Sequence, residues 1–252
     1  MGILTWLGRR FRRPPDPIDP HLWHETTGAS ALFADLNADE LARLKTLAEE
    51  LLAEKEIVAS DGPDPDGAER VNLAATCALP VLELGARWYR GWWTIVLFPD
   101  VYRRSWTEED EFGIVSEYED DVEGEVLQYG SVILSRRNLA GSNSTVVIHE
   151  MAHQLDRITG EIDGVPPLHP EMNAGEWVDV FDRRLEELRR LVDRGRRGPL
   201  EEYAAESREE FFAVASERFF AAPVILERSL PDIYALLRAF YRQDTAARRR
   251  RT

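Results

Sequence analysis

Thr145-Val146-Val147-Ile148-His149-Glu150-Met151-Ala152-His153-Gln154-Leu155-Asp156 is the stretch on which the reading of this chain turns. Val146, Val147, Ile148, Met151, Ala152 and Leu155 make it apolar almost all round, so it reads as a buried helix from about Ser144 to Asp156. Ser142, Asn143 and Ser144 offer capping side chains at its start. Among the polar residues that interrupt this apolar surface, His149, Glu150 and His153 form a pattern. His149 and His153 lie one turn apart on the same face, while Glu150 points about 100° away. Imidazoles so placed converge on one ion at about 2.0–2.1 Å each. A zinc ion there acidifies a water to a pKa of about 7, and Glu150 reaches that water as general base without ligating the ion. The bland alternative is two core histidines with a chance glutamate between them. An unpartnered Glu150 in an apolar helix would be costly, and the chain has only five histidines, so the pattern arises by chance in about one such chain in a hundred.

A catalytic zinc takes a third protein ligand and keeps a fourth position open. Asp156 and Thr159 stand where the extended metzincin pattern has Gly and His, which excludes that class. His169 sits among Pro166, Pro167 and Pro170. Asp156 is easier to build as a partner of a neighbouring group than as a ligand. The remaining candidates are Glu206, Glu209, Glu210 and Glu217, and helical spacing groups Glu210, Ala213, Val214 and Glu217 on one face. Spacing does not choose among them. Ser207 and Glu210 also match a capping box, in which Glu210 would bond backbone instead of metal.

Around this stretch the chain is ordinary in composition. It has 252 residues, of which 44% are hydrophobic and 31% charged, the proportions of a soluble globular protein with a real core. Its net charge of −15 repels phosphate backbones and argues against nucleic-acid binding. The single cysteine, Cys77, excludes an internal disulfide framework and cysteine-rich metal sites, and fits a cytoplasmic setting. No apolar run is long enough to span a bilayer, and no stable membrane association is expected. Residues 1–20 hold Pro14, Pro15, Pro17 and Pro20 and read as a flexible segment; 21–244 read as a single domain, and 245–252 as a solvated basic tail.

Asn37 and Glu40 form a capping pair ahead of Leu41, Leu44, Leu47, Leu51 and Leu52 at helical spacing. A second helical stretch is expected from Arg70 to Leu84, interrupted by Pro80 and ended by Gly85. Strands are expected at Trp93–Phe98, Gly113–Tyr118, Glu125–Tyr129 and Ser131–Ser135. Ten acidic and no basic residues lie between Glu108 and Glu125, which reads as a solvated hairpin face. Further helices are expected at Met172–Arg194, Ser207–Phe220 and Pro231–Gln243. Strands first and helices after give an α+β class.

Taken in order, several segments resemble the Mlc titration factor A family of zinc peptidases. They are Leu79-Pro80-Val81-Leu82-Glu83-Leu84-Gly85, the His149–Asp156 run, Asp163-Gly164-Val165-Pro166, Tyr203-Ala204-Ala205, and Glu210-Phe211-Phe212-Ala213-Val214 with Ser216-Glu217 and Phe219-Phe220. The resemblance spans His21 to Asp244, with no counterpart assigned to the residues outside. It implies a zincin-like fold similar to the catalytic domain of anthrax lethal factor, in which a small sheet packs against the zinc helix between helical N- and C-terminal parts. It also implies Glu210 as third zinc ligand, with Glu209 beside it leaving an ambiguity of one residue, and a functional Tyr203. The expected activity is peptide-bond hydrolysis, with His149, His153 and Glu210 holding one zinc ion. Glu150 serves as general base and Tyr203 stabilises the developing oxyanion. The alternative implied by the family's name is a binding module that sequesters a transcriptional repressor of sugar uptake.

Overall fold

The computed structural model describes residues 15–99, 102–109, 115–122, 124–126, 131–139 and 144–251. Residues 1–14, Ser142 and Asn143 lie outside the described residues, as do the side chains of the acidic run from Glu108 to Glu125. The N-terminal part is helical: α1 covers Pro20–Ala29, α2 Ala38–Glu54 and α3 Gly67–Ala78. Helix α2 starts with the expected capping box. Asn37 Oδ1 accepts from the Glu40 amide at 3.0 Å, and Glu40 Oε2 accepts from the Asn37 amide at 2.9 Å. Leu44, Leu47 and Leu51 then point into the core. Helix α3 begins on a second box, Asp66 with Glu69, earlier than predicted. It also ends earlier, at Ala78, because Pro80 stops the helix instead of merely interrupting it.

Four strands make one sheet in the order β1 (Glu56–Ala59), β2 (Thr94–Phe98), β6 (Ser131–Ser135), β5 (Gly124–Val126). β1, β2 and β6 run parallel; β5 closes the edge antiparallel to β6. A separate antiparallel pair joins β3 (Tyr102–Glu109) to β4 (Val115–Val122). β2 and β6 lie where the β-branched and apolar runs placed them. β1 and β3 were not predicted: Glu56–Ala59 is only four residues long, and its strand character comes from pairing with β2.

From the end of β6 the chain turns into α4 (Thr145–Asp156), whose residues from Val147 to Asp156 are all buried. Ser144 occupies its N-cap position but gives no side-chain cap bond. The remaining helices are α5 (Ala174–Val192), α6 (Arg208–Ala221), α7 (Pro223–Ser229), α8 (Pro231–Tyr241) and α9 (Thr245–Arg249). Helix α4 packs against α6, α3 and β5. Trp177 of α5 stacks on Phe181 with ring centroids 4.5 Å apart and meets Phe212 of α6 and Phe240 of α8 edge-on. Each such buried ring contributes about 1.5–3 kcal/mol of apolar burial. The architecture is α+β and zincin-like, as expected. Among the described residues no helix is long and apolar enough to cross a membrane.

The C-terminus corrects the expectation of a solvated basic tail. Residues 245–249 form α9, and Arg248 is buried with its guanidinium on Glu40 Oε1 at 3.0 and 3.1 Å. Arg249 pairs with Asp35, and Arg250 with Glu227. Charge pattern alone cannot distinguish a solvated run of arginines from one that finds carboxylates on distant helices.

Candidate metal centre

Helix α4 contributes three polar side chains. His149 and His153 are one turn apart, with their Nε2 atoms 3.1 Å from each other. Glu150 is buried, and its Oε2 atom has no hydrogen-bond partner. The third arm comes from α6. Ser207 caps that helix by accepting from the Glu210 amide at 3.3 Å, so the backbone half of the predicted capping box exists. The side-chain half does not. The Glu210 carboxylate turns towards the histidines instead, with Oε2 3.1 Å from His149 Nε2 and Oε1 3.5 Å from His153 Nε2. Capping and the candidate metal cluster therefore use different groups of one residue, the amide and the carboxylate.

The ligand atoms of His149, His153 and Glu210 all lie within 4.8 Å of one another, and these three residues make up the candidate metal cluster among the described residues. Glu206, Glu209 and Glu217 are not in it, nor is His169. The His169 ring bonds the Phe240 carbonyl at 2.8 Å and packs on Trp88, as a core histidine does. The spacing of the three donors suits an ion. Donors about 2.0–2.1 Å from a tetrahedral centre stand about 3.3–3.4 Å apart; here the two Nε2 atoms are 3.1 Å apart, and Glu210 reaches them through different oxygens, Oε2 at 3.1 Å from His149 and Oε1 at 3.5 Å from His153. The Glu210 Oε2 atom also lacks a hydrogen bond of good geometry despite its burial. Facing ring nitrogens beside an unsatisfied carboxylate oxygen fit a cation placed among them.

The charges around the site act strongly on one another. Without an ion, burial works against a charged His149, but the facing carboxylates of Glu210 and Glu217 outweigh that and push its pKa up to about 10. A metal must therefore displace a proton to bind. Burial works against the Glu210 carboxylate too, yet the two histidines hold it well below the usual range. Burial raises Glu150, partly offset by His149 and His153, which suits a group that must accept a proton and return it. Tyr203 lies on the short turn before α6, half exposed, with its ring centroid 6.0 Å from that of His149. Burial and the nearby Glu210 raise its pKa, so the phenol keeps its proton. Arg189 of α5 holds this turn by donating to the carbonyls of Ala205 and Glu206 at 2.8 Å each.

One contact of the cluster was not assigned from sequence. His149 Nδ1 donates to Glu217 Oε1 at 2.9 Å, two turns along α6 from Glu210. The shared helical face was legible, but this contact was not, since it depends on how the His149 ring lies between Glu210 and Glu217. Such a carboxylate fixes the tautomer and orientation of a ligating imidazole.

The sequence model of the family described as "Glucose-regulated metallo-peptidase M90" matches residues 4–242. A protein called Mlc titration factor A from Yersinia pestis (strain Pestoides F) is 33% identical over 256 aligned residues, covering 99% of this chain and 93% of its own. Proteins of the same name from Yersinia pseudotuberculosis serotype O:1b and serotype O:3 show the same identity and coverage. The likeness thus reaches the segment before His21, which had no counterpart assigned.

Proposed function

The chain belongs to the glucose-regulated metallo-peptidase M90 family, and from that premise we propose that it is a zinc peptidase with His149, His153 and Glu210 as metal ligands. The observation that carries the reading is the convergence of those three donors beside a buried carboxylate, Glu150, with an unpartnered oxygen. Zinc, when bound there, supplies a Lewis acid that polarises the scissile carbonyl and acidifies the attacking water. Glu150 takes a proton from that water as its oxygen adds to the carbonyl carbon. It returns the proton to the leaving nitrogen as the C–N bond breaks. Tyr203 donates a hydrogen bond to the carbonyl oxygen as negative charge gathers on it. Glu217 holds the His149 ring through Nδ1. Two nitrogens and one carboxylate are a donor set suited to zinc. The substrate is a peptide or protein. A cytoplasmic location agrees with one cysteine, Cys77, buried and with its thiol pushed up to about 12 by burial.

Metal content by elemental mass spectrometry tests the centre. The expected result is about one zinc per chain in the wild type and in Glu209→Ala, with loss in His149→Ala and Glu210→Ala. No metal in the zinc-repleted wild type would overturn the reading. The relatives' name supports a second activity, capture of an Mlc-type regulator. That reading predicts regulator binding that survives Glu150→Gln, whereas hydrolysis does not.

A further inference from the structure

The metal site draws its ligands from two helices, and Glu210 stands in the first turn of α6, at a helix end, where helices fray. Metal–ligand distances must hold to about ±0.2 Å, so something must fix that turn against α4. We infer that the loop Asp163-Gly164-Val165 does this, with Asp156, Gly164 and Arg208 as positioning residues; the inference rests on the metal reading above.

Asp156 follows His153 by three residues and is fully buried, and its Oδ2 accepts from the Gly164 amide at 2.7 Å. Gly164 has φ +77°, and a Cβ added there would sit 2.7 Å from the Arg208 carbonyl oxygen and 2.8 Å from its carbonyl carbon. Loop backbone therefore touches the α6 backbone with no room between, two residues before Glu210. Arg208 closes the contact from its own side. Its Nε donates to the Asp163 carbonyl at 2.7 Å, and its Nη1 donates to Asp182 of α5 at 3.0 Å. The Gly164 carbonyl accepts from Trp177 Nε1 of α5 at 2.8 Å. Three helices thus grip two consecutive peptide groups, Asp163–Gly164 and Gly164–Val165, and the loop cannot move without breaking a buried hydrogen bond. The path from His153 to Glu210 runs through Asp156, the Gly164 backbone and the Arg208 backbone. Each link is a contact between main chain and a locked side chain or between two main-chain segments.

The test is zinc affinity, measured by competition with a chromophoric chelator, together with the visible spectrum of the cobalt-loaded protein and the melting curve of the metal-free one. Gly164→Ala and Asp156→Ala should weaken zinc binding about 10-fold or more and alter the cobalt spectrum. Asp156→Asn, which keeps an acceptor for the Gly164 amide, should stay near wild type in both. If Gly164→Ala does not fold, Arg208→Met decides: it keeps the side-chain stem and loses the bond to Asp163, and weaker zinc binding with a changed spectrum supports the inference. Folded Asp156→Ala and Arg208→Met variants with wild-type affinity and spectrum would overturn it. A wild-type chain that takes up no zinc would instead overturn the metal reading on which it stands.

Discussion

Arg248 and Glu150 are both buried ionisable groups, and they are treated in opposite ways. Arg248 joins the last helix to α2 with a full set of partners: its guanidinium meets Glu40 Oε1 twice and Gln243 Oε1, and Gln243 in turn donates to the Leu79 carbonyl at 2.9 Å. Lys55 is handled similarly, donating to the carbonyls of Tyr89 at 2.6 Å and Trp92 at 2.8 Å. Around α4 the pattern changes. Glu150 Oε2, His153 Nδ1, Glu210 Oε2 and Asp156 Oδ1 are buried without a hydrogen-bond partner. The cationic groups of Arg248 and Lys55, which join parts of the fold, thus have acceptors, although neighbouring neutral groups such as Tyr89 Oη and Trp92 Nε1 do not. The proposed function gives a reason for Glu150 Oε2 and Glu210 Oε2: an atom held ready for a proton or an ion carries no competing hydrogen bond, at a cost borne by the surrounding packing.

This contrast can be broken by mutation. Glu150→Gln should keep zinc and lose peptidase activity by about 10⁴-fold, the upper range for general acid–base catalysis; a metal-loaded Gln variant with normal turnover would remove Glu150 from the mechanism. Arg248→Ala should do the reverse. It leaves the buried Glu40 carboxylate without its cation, so it should cost about 3 kcal/mol or more in thermal or urea unfolding while leaving the zinc content of the folded protein unchanged.

Smaller effects sharpen the division. Glu217→Gln should weaken zinc binding by about 10-fold, because a neutral amide orients His149 less firmly than a carboxylate, and chelator competition reads this directly. Unchanged affinity would make Glu217 a packing residue. The smallest effect concerns pH. Burial pushes Asp156 up from 3.8 to about 7, so the folded metal-free protein resists its ionisation. Its contribution to stability is complete below pH 3.8 and is lost as pH rises towards 7. Asp156→Asn should therefore flatten the stability profile of the metal-free protein across that window, by about 1–2 kcal/mol in urea melts. His149 acts in a different window: its contribution is complete below pH 6.5 and is lost on approach to pH 10.

Sequence alone determined the features that repeat locally. The α4 helix, its two histidines on one face and Glu150 off that face follow from a period of 3.6 residues and an apolar surround. The Asn37–Glu40 box and the β2 and β6 strands are also local patterns, and the structure has them. Glu210 was separated from the capping alternative only by family resemblance, since a carboxylate at N3 serves either purpose in one dimension. Tertiary structure alone decided what depends on distant segments meeting. The Glu217 bond to His149 spans 68 residues, and the burial of Arg248 on Glu40 spans 208. The Gly164–Arg208 contact is equally invisible in a linear pattern. Local propensity reports the conformation of a few consecutive residues, whereas a side chain's partner is set by which elements the whole core brings together.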